Sequence, residues 1–186
     1  MKTWLTMCCA AVLVANASAA SPPPSRAIAP KGSSIGFVFK QENVPVSGGF
    51  RKFSGTVALD AAKAQAINIS VDIASITAGS EDADTEVVKP TWLSAKAFPQ
   101  ATFTSKTLKA LGGDRWEASG PLTIKGVARD VTVPFTVKEQ SGGGMELDGT
   151  FQIKRADYKV GEGEWSAFDT VANEIQVKFH LVLTRS

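Results

Sequence analysis

Apolar and polar residues alternate with a period of two along much of this chain, and that rhythm limits the fold more than any motif does. In the run from Ile67 to Ile73 every odd-numbered side chain is apolar. A β-strand turns successive side chains to opposite faces, so this segment has one dry face and one wet face. The spacing recurs at Met145, Leu147, Phe151 and Ile153, and at Val131, Val133, Phe135 and Val137. It returns at Ile175, Val177, Phe179, Leu181 and Leu183, and more weakly at Ile35, Phe37 and Phe39. Many half-buried strands with little helix predict an all-β sandwich or barrel. If the sheet closes, its apolar faces line a lumen suited to an apolar ligand.

Residues 1–20 read as an export signal, with Lys2 at the positive start and an apolar run from Leu5 to Ala15 that is too short to span a bilayer. Small residues then permit cleavage after Ala17, Ala19 or Ala20, the last two fitting best. Both cysteines, Cys8 and Cys9, lie inside this segment, so the expected mature protein has neither disulfides nor cysteine metal sites. The roughly 166 residues that remain are enough for one domain with a core of its own. Without Lys2 the formal charge falls from +2 to +1, which favours neither nucleic acid nor an anionic membrane as partner. No later apolar stretch approaches membrane-spanning length.

A proline-rich leader, 21–32, precedes the first strand, expected near Ser34–Gln41. Gly48-Gly49 predicts a bend or bulge in the second strand. A short Ala-Ala-Lys-Ala turn at 61–64 leads into the Ile67 strand. Between about 80 and 97 the alternation stops, and Ser80, Asp82 or Asp84 can cap a short helix whose acids suit its N-terminal dipole. Hairpin turns are expected at Gly112–Asp114, Lys125-Gly126 and Gly142–Gly144, and a loop at Asp157–Asp169.

Catalytic chemistry finds little support. The one histidine, His180, falls on the face opposite Val177, Phe179 and Leu181. Gly32-Ser33-Ser34-Ile35-Gly36 matches the serine-hydrolase elbow, but that turn needs a strand before it and a helix after it. Glu81, Asp82, Asp84 and Glu86 lack the spacing of a calcium loop and read as a solvated helix start. Glu162 and Glu164 read as a polar loop tip, with acid–base work as the alternative. Period two carries Arg155 and Asp157 inward from Phe151 and Ile153, as a structural ion pair, as a turn-fixing contact, or as a grip on a polar headgroup. No metal or cofactor is expected.

Several blocks, taken in order, resemble the YceI-like family of exported lipid-binding proteins. They are Ser33–Phe37, Gly49–Gly55, Val71–Ile76, Phe98–Phe103, Gly120–Gly126, Ile153–Tyr158 and Gly161–Trp165. The resemblance spans residues 33–183, and the ordered series carries it rather than any single block. It implies an eight-stranded antiparallel, lipocalin-like barrel over 33–186, with a helical excursion at 80–97, that holds a polyisoprenoid. It further implies a periplasmic location and a homodimer. The Gly161–Trp165 segment is similar to members found near b-type cytochromes of the inner membrane, which implies an isoprenoid quinone as ligand. Histidines that many members carry around the first strand are replaced here by Gly32 and Gln41, so no role of theirs transfers.

The expected function is therefore a non-enzymatic carrier of a long-chain isoprenoid lipid, with a filled sandwich acting as an interaction or stress-protection module as the alternative. The tail is expected along Phe37, Phe39, Ile69, Val71, Phe103, Phe135 and Phe151. Trp92, Phe98 and Trp165 are expected at an entrance, and Arg155 at the headgroup.

Overall fold

The computed structural model describes residues 25–59 and 66–184. The export signal, the first part of the leader and the 61–64 turn lie outside these residues. Eleven strands form one antiparallel sheet. They are β1 (Arg26–Gln41), β2 (Val44–Phe50), β3 (Phe53–Ala58), β4 (Ala66–Asp72), β5 (Ile76–Thr77), β6 (Gln100–Thr104), β7 (Thr107–Gly112), β8 (Arg115–Ile124), β9 (Val127–Glu139), β10 (Met145–Lys154) and β11 (Glu174–Leu183).

Three pairs among them are single strands bent in the middle. Both β2 and β3 pair with β1, both β6 and β7 pair with β8, and β5 continues β4 after a 3-10 turn at Ile73–Ser75. The breaks at Arg51–Lys52, Ile73–Ser75 and Ser105–Lys106 fall on successive strands. Together they give the wall the local curvature that closure requires. Counted this way the sheet is an eight-stranded up-and-down meander, and β11 closes it against β1 through register pairs such as Ile35↔Phe179 and Phe37↔Val177. Closure pairs the first strand with the last, and among the described residues β5 and β7 meet a neighbour on one edge alone.

Two local expectations change. The leader gives way to strand at Arg26 rather than after residue 32, because β11 and β3 supply hydrogen-bonding partners for Arg26–Ala29. Pro30 is tolerated because it sits in the register shift between Ala29 and Ser34. Ser33 bridges this bulge: its hydroxyl donates to the Ala29 carbonyl (2.6 Å) and accepts from the Val182 amide (2.8 Å). The expected bend at Gly48-Gly49 comes two residues later, at Arg51–Lys52. Gly48 instead leaves room for the Phe37 ring, which a Cβ there would strike.

The two ends of the barrel differ. At the end where β1 begins, Ile28, Val57, Ile67, Ala118, Phe135, Leu147, Leu181 and Leu183 pack into a filled core. The other end carries the tight left-handed turns Glu42-Asn43 and Lys125-Gly126, and two long excursions. The first holds the short helix α1 (Glu81–Val87), capped by the Ser80 hydroxyl accepting from the Ala83 amide (3.2 Å). The second, 155–173, consists of turns and 3-10 segments between β10 and β11.

Gly120 in β8 lies against the β6–β7 break, where a Cβ would collide with the Thr104 carbonyl. Gly120→Ala is expected to cost about 1–3 kcal/mol through overpacking. Urea unfolding should show a lower midpoint with unchanged slope.

Candidate ligand cavity

Above the filled core the lumen is open, leaving a cavity of about 600 Å³. Its walls follow from the alternation. Phe37 and Phe39 point in from β1, Ile69 and Val71 from β4, Phe103 from β6, Phe135 from β9 and Phe151 from β10. Phe135 is also part of the packed core, so it forms the floor. Phe37 stacks obliquely on Phe39 and Phe50, with ring centroids 6.2 and 5.7 Å away. The cavity reaches the surface beside α1, whose exposed Asp82 belongs to its lining together with Ala83, Glu86 and Val87.

Trp92 and Trp165 come from the two excursions and meet over the lumen, ring centroids 5.5 Å apart. Both line the cavity, and both indole nitrogens are buried without a hydrogen-bond partner. Phe98, the third residue expected at the entrance, is not in the lining. It lies outside, packed over the Gly126 turn, because the chain turns outward before β6 starts at Gln100. Sequence reasoning passed over Phe50, Leu122, Tyr158 and Phe179 as lining residues. Phe179 was visible in the β11 alternation, but Tyr158 lies on a 3-10 turn that period two does not reach.

Arg155 takes the turn-fixing role among those expected of it. Arg155 is buried and lines the cavity, as the alternation implies, but the strand ends at Lys154 and a 3-10 turn begins at Arg155, so the projection fails at Asp157. Asp157 consequently faces solvent, not Arg155. Arg155 is only 3% exposed and has no carboxylate partner among the described residues. Its Nε donates to Ala172 O (3.2 Å), and Nη1 donates to Val160 O and Gly161 O (2.9 and 3.0 Å). Nη2 donates to Trp165, Ala167 and Val171 carbonyls (2.8–2.9 Å). Every guanidinium N–H is engaged by backbone, which leaves none for a headgroup. The group also lies 5.4 Å from the Trp92 ring and 5.1 Å from that of Phe168. Burial lowers its pKa from the ordinary arginine value. One side chain thus organises the whole 155–173 excursion.

Other contacts press that excursion onto the barrel. The Gly161 and Glu162 amides both donate to Thr91 O (2.9 Å each), joining the two excursions beside the tryptophan pair. Gly161 must be glycine: its φ is +77°, and a Cβ would collide with Arg155 Nη1. Lys125 Nζ donates to Lys159 O (2.6 Å) and to the Glu162 carboxylate (2.8 Å). The lysine holds the Glu162 carboxyl below its ordinary pKa. Glu162 is therefore a brace, and Glu164 is exposed on the neighbouring turn. His180 stands on the outer wall, its Nδ1 2.7 Å from Asp148 Oδ1.

Arg155→Lys is expected to destabilise the fold almost as much as Arg155→Met, by about 3–5 kcal/mol, because three donors cannot serve six carbonyls. Denaturant unfolding reads this directly. A second prediction concerns Tyr158, the one tyrosine in the chain. Burial, aided by Asp157, raises its pKa above the ordinary value of 10.0. Absorbance titration of phenolate should therefore show a midpoint above that of free tyrosine. The raised folded pKa gives a contribution complete below pH 10.0 and lost as pH climbs through the folded value. Tyr158→Phe should flatten that alkaline decline.

Three comparisons bear on this architecture. The YceI-like domain profile matches residues 27–183. The crystal structure of Burkholderia cenocepacia BcnA superposes with a TM-score of 0.80 at 43% identity, covering 84% of this chain and 99% of that one. Protein YceI of Escherichia coli O157:H7 is 30% identical over 125 residues, 62% of this chain and 65% of that protein. The chain spans from 53% to 65% of the length of such curated relatives. A polyisoprenoid binding domain from Saccharophagus degradans, described as implicated in plant cell wall breakdown, has a TM-score of 0.73 at 17% identity, covering 88% of this chain and 99% of that domain. At that identity the likeness shows a shared fold.

Proposed function

The chain belongs to the YceI-like family, and from that premise we propose that it carries a long-chain isoprenoid lipid, of polyprenyl or isoprenoid-quinone type, without transforming it. The observation that carries this reading is the apolar cavity above the packed floor. Were 600 Å³ of lumen dry and empty, the cost at about 24 cal/mol per Å³ would be roughly 14 kcal/mol. That equals the whole stability of a typical domain, about 5–15 kcal/mol. Aliphatic and aromatic walls offer water few partners, so an apolar occupant is the natural filling. The volume lies within the range of about 300–1,000 Å³ usual for ligand pockets.

Binding arithmetic sets the length of the occupant. A ten-atom chain at roughly −0.3 kcal/mol per heavy atom yields about −3 kcal/mol, weaker than millimolar. A chain of about thirty heavy atoms reaches roughly −9 kcal/mol, or sub-micromolar. The likeness to the polyisoprenoid binding domain from Saccharophagus degradans supports the same class. A periplasmic location, with the first twenty residues as export signal, belongs to this reading. So do a homodimer and an inner-membrane b-type cytochrome as quinone-handling partner. The cavity weighs against a filled interaction module.

Ala101 projects into the cavity from β6, where it pairs with Val71. Ala101→Trp should occupy the lumen, lowering affinity for a prenyl alcohol of about thirty heavy atoms at least tenfold while leaving the fold intact. Native mass spectrometry of protein from its own host should show a co-purifying prenyl lipid. Protein that arrives empty and takes up no prenyl lipid in detergent would overturn the carrier reading.

A further inference from the structure

Four large apolar side chains stand most exposed on the described surface: Val44 at 61%, Phe168 at 49%, Leu111 at 41% and Phe98 at 37%. Strand direction places three of them at one end. Val44 follows the β1–β2 turn, Phe98 precedes β6 and Phe168 lies in the second excursion, all at the end where the cavity opens. Leu111 is alone at the filled end. Each of the three is one step from the lining: Val44 pairs with Gln41, Phe98 covers the turn after Ile124, and Phe168 stacks on Arg155.

Rigid backbone holds them outward. Arg155 Nη2 donates to Ala167 O (2.9 Å) just before Phe168, and the Glu42 amide donates to Thr170 O (2.8 Å) just after it. The Phe98 amide donates to Ser94 O (2.9 Å), and Pro99 O accepts from the Ile73 amide (3.0 Å). Val44 follows two left-handed residues, Glu42 (φ 49°) and Asn43 (φ 65°). Apolar groups fixed in water around a greasy opening mark an interaction surface.

We infer that Val44, Phe98 and Phe168 form a docking rim that inserts shallowly into a lipid bilayer, mouth down. The inference rests on the carrier reading for its purpose: a long prenyl chain is nearly insoluble in water and must pass directly between bilayer and lumen. Charge selects the kind of surface. Helix α1 carries Glu81, Asp82, Asp84 and Glu86 at the same end, where exposed Glu42, Glu164 and Asp169 add to them and exposed Lys40, Lys96 and Lys159 oppose them; among the described residues Glu86 alone of the four has a lysine partner, Lys89. These acids repel anionic headgroups, so docking relies on apolar insertion and favours a zwitterionic surface.

Delipidated protein floated with phosphatidylcholine vesicles tests the rim whether or not cargo binds. The double variant Val44→Ser/Phe168→Ser should lose about fivefold in the floated fraction, Leu111→Ser should match the parent, and Phe168→Trp should keep or raise it. Added phosphatidylserine should weaken flotation, and high salt should relieve that weakening. Transfer of a fluorescent prenyl alcohol out of the vesicles should slow about tenfold in the double variant, while its affinity in detergent stays within about twofold. Variants that float and transfer like the parent, or docking confined to vesicles bearing membrane proteins, would overturn the rim. Absence of prenyl binding in detergent, with flotation still dependent on the rim, would instead defeat the carrier reading alone.

Discussion

Everything in this molecule depends on β1 pairing on both of its edges. Its first residues meet β3, its second half meets β2, and along much of its length it meets β11. That last contact turns a meander into a closed wall. Without it the apolar faces of the sheet would need a second layer to cover them, and an interior of this kind could not exist. Closure satisfies the outermost backbone groups within the chain and leaves the inward side chains to decide how much space remains.

Those side chains decide differently at the two ends. Leu147, Leu181 and Leu183 meet Val57 and Ile67 across the narrow end and fill it. Higher up, small side chains such as Ala101 thin the lining, and the missing side chain of Gly48 leaves room for the inward Phe37 ring. The packed floor gives the fold its stability, and the open upper half gives it a use. The polar groups of the upper end are mostly spent on backbone: Arg155 on six carbonyls, Lys125 on Lys159 O, Ser33 on the β1 bulge.

Much of this was legible in the sequence because period two is enforced by burial. Wherever a strand ran unbroken, as at Ile69, Val71, Phe103 and Phe151, alternation located the wall correctly. It failed where the backbone left the strand. Arg155 and Asp157 share a parity with Ile153, but a 3-10 turn at Arg155 buried the first and exposed the second. Phe98 was displaced for a similar reason, since no periodicity governs the turns after α1. The start of β1 was hidden by Pro30, whose presence in a strand becomes intelligible only once the register shift beside it is seen. Tertiary hydrogen bonds, invisible in one dimension, decided each of these.

The guanidinium beneath the tryptophan pair is held entirely by peptide oxygens, which bear no proton to gain or lose. A carboxylate in the same place would let go in acid, and a surface ion pair would loosen in brine. Arginine keeps its charge at any pH a cell meets. The arginine's hold on the roof over the chamber therefore persists through swings in acidity and ionic strength, an immunity that the Lys125–Glu162 brace beside it does not share.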